Sequence, residues 1–323
     1  MKRVLVTGAS GFVGSALTTR LVKSGYSVVG MARHRREGCT AQTFIETDLT
    51  CSGVFDDGLV QVDCIVHLAG RAHVLRQSNE SQLAVFREVN RDATIRLARA
   101  ALIAGVKRFV FVSSIGVNGS STTYDPFRES STAAPKADYA VSKWEAETEL
   151  KVLLSDTSME LVIVRPPLIY AADAPGNFRR LLKLVDSGVP LPLQSITNLR
   201  SVISRDNAVA FLELCVHHPA AADELFLIAD AQAVSTPDMI RAISSGLGKS
   251  PRLFPFPLAY LKVALHALGK RAMYEQLCCS LQIDDSKART VLGWAPLDTT
   301  VEGLRRAGLR YRALDNQAND GVD

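Results

Sequence analysis

Lys2-Arg3-Val4-Leu5-Val6-Thr7-Gly8-Ala9-Ser10-Gly11-Phe12-Val13-Gly14 decides the fold of this chain. An apolar run bounded by glycine reads as a buried strand over residues 2–7. Phe12, Leu17, Leu21 and Val22 then recur at helical spacing, which predicts a helix over residues 12–23. The glycines therefore occupy a strand-to-helix turn. Gly8 allows the tight turn, Gly11 lets a phosphate approach the backbone, and Gly14 lets helix and strand pack closely. The N–H groups and partial positive charge of the helix N-terminus face the same point. The spacing is G-x-x-G-x-x-G, and it reads as a site for the pyrophosphate of a dinucleotide.

Ser27-Val28-Val29-Gly30-Met31 predicts a second strand beside the first. A site for NAD usually carries a carboxylate at this strand end, where it holds the ribose 2′-hydroxyl. Here the chain continues Ala32-Arg33-His34-Arg35-Arg36. A guanidinium suits a 2′-phosphate in charge and geometry. NADP(H) is therefore favoured, with Arg33 as its anchor and Arg35 or Arg36 in support; NAD(H) is the alternative. Thr43-Phe44-Ile45 predicts a third strand ending near Asp48-Leu49. Asp48 has two readings: an acceptor for the adenine amino group, or a cap for a helix over residues 52–59. Residues 63–68 form a fourth strand leading into Ala69-Gly70, whose small side chains let a cofactor lie on the backbone. His67 reads as a packed strand residue.

Downstream, Tyr139-Ala140-Val141-Ser142-Lys143 places a lysine one helical turn after a tyrosine, on the same face. A phenol ordinarily titrates near pH ~10, too high for a base at neutrality. The Lys143 ammonium is expected to lower it. Ser114 ends a strand over residues 108–112 and can hydrogen-bond the same substrate oxygen. Together they suit hydride transfer at a carbonyl carbon, with Tyr139 delivering the proton to oxygen.

Charged residues are 22% and hydrophobic residues 47% of 323, enough for a sizeable core. The net charge of +4 is too mild to argue for nucleic acid. Cys39, Cys51, Cys64, Cys215, Cys278 and Cys279 show no metal spacing, and several read as buried thiols, as a reducing cytoplasm allows. The N-terminus runs straight into a strand without a signal peptide. Leu253 to Leu268 is apolar, but Pro255, Pro257, Lys262 and His266 interrupt it and it is too short to span a bilayer. An amphipathic core helix is expected there, with membrane-surface contact as the alternative.

Strands and helices alternate up to about Pro166, which predicts an α/β fold: a Rossmann-type doubly wound parallel sheet over residues 1–166. The sheet should also recruit residues 204–229, with Leu225 to Ala229 as a strand. Residues 167–314 should form a smaller α/β substrate domain, interleaved in sequence, and residues 315–323 a frayed polar tail. Asn177 should open a helix with Leu181, Leu182, Leu184 and Val185 as its apolar face, and Pro190 to Leu193 should be extended.

The chain resembles the extended short-chain dehydrogenase/reductase family of nucleotide-sugar epimerases, dehydratases and reductases. Matching pieces are Thr7 to Gly14, Asp48-Leu49, His67 to Gly70, Asn90, Ser113-Ser114, Tyr139 to Lys143, Arg165 to Tyr170 and Leu292-Gly293-Trp294. The resemblance implies a cofactor site from Ser10, Phe12, Val13, Leu68, Asn90 and Pro166 beside the residues already named, with Lys143 reaching the nicotinamide ribose. It implies a UDP-sugar held by Asn177 and Arg200 at the diphosphate and by Pro192 and Leu193 at the uracil. It also implies a homodimer in which helices 81–104 and 139–154 pair across a two-fold axis. Their apolar stripes are Leu83, Phe86, Val89, Ala93, Leu97 and Ala101, and Ala146, Leu150 and Leu153.

Several positions depart from the family pattern. Ala171 follows Tyr170 where glycine is usual, Ser204-Arg205 replaces an aromatic-valine pair, and Gln276 stands near the usual second phosphate arginine, for which Arg271 is a candidate. Dehydratases of the family carry an Asp-Glu pair after the active-site threonine; Ser114-Ile115-Gly116-Val117-Asn118 has none. The basic strand end tilts the expectation to a 4-reductase. It would convert a UDP-4-keto-6-deoxy-N-acetylhexosamine to UDP-N-acetylquinovosamine or its 4-epimer, for bacterial surface polysaccharide. A 4-epimerase with retained NAD is the alternative. A non-enzymatic cofactor sensor would predict a degraded Tyr-x-x-x-Lys, and here the motif is intact.

Overall fold

The computed structural model describes residues 2–51, 58–72 and 81–320. Its strands are β1 (Arg3–Thr7), β2 (Ser27–Ala32), β3 (Thr43–Glu46), β4 (Cys64–His67), β5 (Arg108–Val112), β6 (Glu160–Arg165), β7 (Leu168–Tyr170), β8 (Val202–Ser204) and β9 (Leu225–Leu227). Seven of them form one sheet in the order β3-β2-β1-β4-β5-β6-β9, and β7 and β8 pair separately. Every pairing in the large sheet is parallel. Parallel strands covered on both faces need near-continuous apolar sequence, and Arg108-Phe109-Val110-Phe111-Val112 is buried along its whole length. The strand order reverses between β1 and β4, which opens a crevice beyond their C-terminal ends. Gly8 and Ala69 lie there.

Alternate residues serve opposite faces. Val4, Val6, Val66, Val110 and Val164 pack on one side with helix α1 (Phe12–Lys23). Leu5, Ile65, Phe109, Phe111 and Ile163 pack on the other. That second face is covered by a helix in three joined pieces, α2 (Gln82–Arg87), a π-helical turn Glu88–Asp92 and α3 (Ala93–Ile103), together with α4 (Asp138–Leu154). Ala93, Leu97, Ala101, Ala146 and Leu150 are all buried there within one chain. The stripes expected to pair two subunits are therefore largely consumed by the sheet, which also needs covering.

Beyond β7 come α5 (Gly176–Asp186), α6 (Arg205–His217), α7 (Thr236–Leu247), α8 (Leu258–Ala267), α9 (Arg271–Cys278), α10 (Ser286–Leu292) and α11 (Thr300–Asp320). The α6 helix and β9 return to the sheet. A separate core forms between α5, α7 and α11, around Phe178, Leu182, Ile240, Ile243 and Leu304. Two glycines make the α7–α11 crossing close. A Cβ on Gly246 would lie 1.9 Å from the Arg305 carbonyl oxygen, and one on Gly308 2.4 Å from that of Ile243.

Four expectations need correction. Leu184 faces outward and Phe178 takes its place, because the inward face of α5 is offset from the leucine run. Leu191 bridges to Leu253, but Pro192 already enters a turn, so Pro190 to Leu193 is not extended throughout. The apolar segment from Leu253 is helical only over Leu258–Ala267, and none of that helix is buried, so it is not a core helix. The polar tail is helical through Asp320, as an extension of α11. Among the described residues no helix is long and apolar enough to cross a membrane. All six cysteines are unpaired, and only Cys64 and Cys215 are buried.

Candidate active site

The glycine turn is closed from within. Gly8 has φ +66°, and the Gly11 N–H donates to its carbonyl at 2.8 Å. A Cβ on Gly14 would sit 2.1 Å from that same oxygen, and one on Gly8 2.9 Å from the Ala69 nitrogen. Gly11 caps α1 with no side-chain bond, so the first-turn N–H groups face outward without a side-chain acceptor. A diphosphate fits such a cradle, and larger residues would fill it.

Ser10 Oγ donates to the His34 carbonyl at 2.5 Å, tying this turn to the loop after β2. Arg33, Arg35 and Arg36 are exposed there, and Arg35 lies over Phe44, 5.6 Å from the ring centroid. A carboxylate that β2 itself lacks arrives from β3: Glu46 Oε1 accepts from the Arg35 backbone N–H at 3.0 Å. Sequence order hid it, because strand pairing brings it to this end. Asp48 Oδ1 accepts from the Thr50 N–H at 2.9 Å and the Thr50 hydroxyl at 2.8 Å. These bonds, followed by Arg33 and Arg71, hold its carboxyl below the usual range. Leu49 is buried beside it. Most of the helix that Asp48 was alternatively expected to cap lies outside the described residues.

A one-directional hydrogen-bond chain links the glycine turn to the tyrosine helix. The Thr94 hydroxyl spends its hydrogen on the Asn90 carbonyl at 2.8 Å, so toward His67 it can only accept. His67 Nε2 lies 2.9 Å from it and must carry the ring proton. Nδ1 is then the acceptor for the Thr7 hydroxyl at 2.8 Å. Thr7 Oγ1 in turn accepts from the Leu68 and Ala69 N–H groups at 3.2 and 3.1 Å. Burial, with Lys143 second, pushes His67 down to about 3. On the other side, Asn90 Nδ2 donates to Ser142 Oγ at 3.0 Å, and Ser142 donates to the Tyr139 carbonyl at 2.8 Å. Asn90 also exchanges bonds with the Arg71 backbone. Thr7, Thr94 and Ser142 carried no signal in the sequence as members of this chain.

Lys143 is buried, donates to the Val112 carbonyl at 3.0 Å and lies 4.6 Å from the Phe111 ring centroid. A Cβ on Gly70 would come within 3.3 Å of its Nζ, so glycine there keeps room for the ammonium. Burial pushes Lys143 down to about 8, with Glu147 opposing. Glu147 is held by Arg165, whose Nε donates at 2.9 Å and whose Nη1 reaches Asn118 Oδ1 at 3.0 Å. Tyr139 is half-buried, its ring edge against Phe86 at 6.1 Å. Burial pushes its phenol up to about 12. The expected lowering by Lys143 does not accompany it, and the ammonium instead serves the Val112 carbonyl. Ser114 Oγ accepts from the Gly116 N–H at 3.1 Å, leaving its own hydrogen to donate, and Ile115 N–H donates to the Pro166 carbonyl at 3.0 Å.

The other expected residues lie in the second half, each with partners of its own. Asn177 Nδ2 donates to Gln276 Oε1 at 2.9 Å, near the opening of α5. Arg200 Nη1 donates to the Cys279 carbonyl at 2.9 Å, at the end of α9. Arg271 instead pairs with Glu275 on its own helix at 3.2 Å, largely in solvent. Pro192 is half-buried, whereas Leu193 turns its side chain into the core. Missed by sequence reading, Asp230 Oδ2 accepts from the Tyr170 hydroxyl at 2.6 Å, and its Oδ1 from Asn207 at 2.7 Å. Among the described residues no cluster of His, Cys, Asp or Glu could hold a metal ion.

The NAD dependent epimerase/dehydratase family matches residues 4–229, from β1 through β9. The chain belongs to that family. It is 39% identical to a UDP-glucose 4-epimerase of Vibrio cholerae over 319 residues, 98% of this chain and 97% of that one. It is 26% identical over 338 residues to an N-acetyl-α-D-glucosaminyl-diphospho-ditrans,octacis-undecaprenol 4-epimerase of Escherichia coli O157:H7, covering 98% and 97%. Among solved structures, MoeE5 in complex with UDP-glucose and NAD matches with TM-score 0.77 and 26% identity, covering 97% of this chain and 99% of that one.

Proposed function

We propose that this family member is a UDP-hexose or UDP-N-acetylhexosamine 4-epimerase that keeps its NAD bound through turnover. The observation that carries this is the 39% likeness to a UDP-glucose 4-epimerase, spread over both halves of the chain. The site chemistry supports it. Bound NAD would supply the hydride acceptor and donor that inversion at C4 needs. Tyr139 would take the proton of the sugar 4-hydroxyl and return it to the same oxygen. Ser114 holds that oxygen, and Lys143 supplies the positive charge that a phenolate needs. Binding of substrate and cofactor must therefore draw the Tyr139 phenol down from about 12. Asn177 and Arg200 would hold the sugar's diphosphate. Glu46 beside the Arg35 backbone supplies a carboxylate for the ribose 2′-hydroxyl.

The second reading is the NADPH-dependent 4-reductase of a UDP-4-keto-6-deoxy-N-acetylhexosamine. Its support is the exposed trio Arg33, Arg35 and Arg36 beside Ser10. Purified protein should be incubated with UDP-glucose and UDP-N-acetylglucosamine without added cofactor. The 4-epimer is expected in one arm, with NAD released on denaturation. Oxidation of NADPH only with the 4-keto sugar would replace the first reading by the second. In that case Arg33→Ala should weaken NADPH by about 1–3 kcal/mol and spare NADH.

A further inference from the structure

The α8–α9 hairpin has an apolar outer surface that the rest of the described chain leaves uncovered. Leu258 and Leu261 turn inward and pack on the second core. The opposite face carries Tyr260, Val263, Ala264 and Ala267, at helical spacing of three, one and three. Tyr260 is 67% exposed, Val263 68%, and Leu268 just beyond 66%. Neither α8 nor α9 has a buried residue. Phe254, ahead of α8, and Met273, in α9, are exposed as well. A polar solvent would not favour such a stripe on a free surface.

Charge selects what covers it. From Lys249 to Tyr274 the chain carries Lys249, Arg252, Lys262, Lys270 and Arg271 and no aspartate or glutamate. Lys249 is paired with Asp186 and Arg271 with Glu275. Lys262 and Lys270 are exposed and have no carboxylate partner among the described residues. Glu275, the one carboxylate of the hairpin, is the residue paired with Arg271, so an apolar stripe flanked by the free cations Lys262 and Lys270 fits the boundary between acyl chains and anionic headgroups. A second copy of this chain would bring like charges to the same seam.

We propose that the outer face of α8 and the α8–α9 turn docks on an anionic phospholipid surface, with Tyr260, Val263 and Leu268 at the acyl boundary and Lys262 and Lys270 among the headgroups. The inference is independent of the reaction proposed above. Its consequence for the site is geometric, since α9 also carries Gln276, the partner of Asn177, and ends at the carbonyl held by Arg200. Docking would therefore tie α9, and with it these two contacts, to the membrane-bound hairpin.

The test is flotation of the full chain with vesicles of phosphatidylcholine containing about one third phosphatidylglycerol, against pure phosphatidylcholine, at low and high salt. Binding is expected to the anionic vesicles, weakening with salt. Val263→Glu should lower it at least about tenfold. Lys262→Ala and Lys270→Ala should each lower it about fivefold. All three side chains are exposed, and circular dichroism and cofactor binding should match the wild type. No binding to anionic vesicles at low salt, or Val263→Glu binding like wild type, would overturn the proposal. So would a wild-type dimer in sedimentation that Val263→Glu converts to monomer while vesicles stay unbound, because the face would then join two copies of the chain.

Discussion

The two parts of the candidate site hold their polar groups in opposite ways. Around the glycine turn the key side chains are buried and fully committed: His67, Asn90, Lys143, Glu147 and Arg165 all lie below the surface with named partners. In the second half Asn177 and Gln276 are exposed, and Arg200 bonds to backbone carbonyls alone. A buried polar network tolerates one arrangement because each lost partner leaves a desolvated group behind. Exposed groups can exchange water for ligand at little cost. The buried part is thus fixed in one arrangement, and the exposed part can be altered without disturbing it.

Four substitutions would break or sharpen this contrast. Tyr139→Phe removes the proton carrier and should lower turnover on the order of 10²–10⁴-fold while cofactor binding survives; near-normal turnover would remove Tyr139 from the chemistry. Arg165→Leu leaves the buried Glu147 carboxylate unpaired beneath Lys143. Urea unfolding should register a loss of about 3–5 kcal/mol, and a loss under about 1 kcal/mol would mean that the buried half is less committed than argued. Arg200→Ala should raise the apparent substrate constant about tenfold to a hundredfold, with turnover largely restored at saturation. If turnover falls at saturating substrate instead, Arg200 is not a remote diphosphate clamp.

The smallest effect concerns pH. The folded pKa of His67 is about 3, against an ordinary 6.5. Between those values the unfolded chain binds a proton that the folded chain refuses, so stability falls as pH drops below 6.5. From pH 6.5 to 5 this amounts to at most about 2 kcal/mol. His67→Asn should flatten that part of the stability curve, measured by denaturant melts at the two pH values. An unchanged slope would show that carboxylates elsewhere set it.

The sheet half was largely legible because its signals are local. A glycine turn between a strand run and a helix run leaves few alternatives, and Tyr139 and Lys143 are one turn apart by spacing alone. What escaped depends on pairing between strands or on hydroxyls that look ordinary in sequence. Glu46 reaches the end of β2 through the β2–β3 register, and Thr7, Thr94 and Ser142 matter only once His67 and Asn90 stand between them. Periodicity also cannot say what covers an apolar stripe. The resemblance set Leu97 and Leu150 in a subunit interface where the chain's own core takes them, and α8, expected as a core helix, only leans Leu258 and Leu261 on the second core.

The π-helical turn at Glu88–Asp92 holds Asn90 between Arg71 and Ser142. Such a turn accommodates one residue more than an α-helix would over the same rise. Deleting Asn90 would restore regular winding with Phe86 and Thr94 kept near their present bearings, yet it would remove the one side chain that joins Arg71 to Ser142. The extra residue is thus what the helix spends to turn an amide inward: shortened by it, the helix could still cover the sheet, while the tie between the two ends of the candidate site was gone.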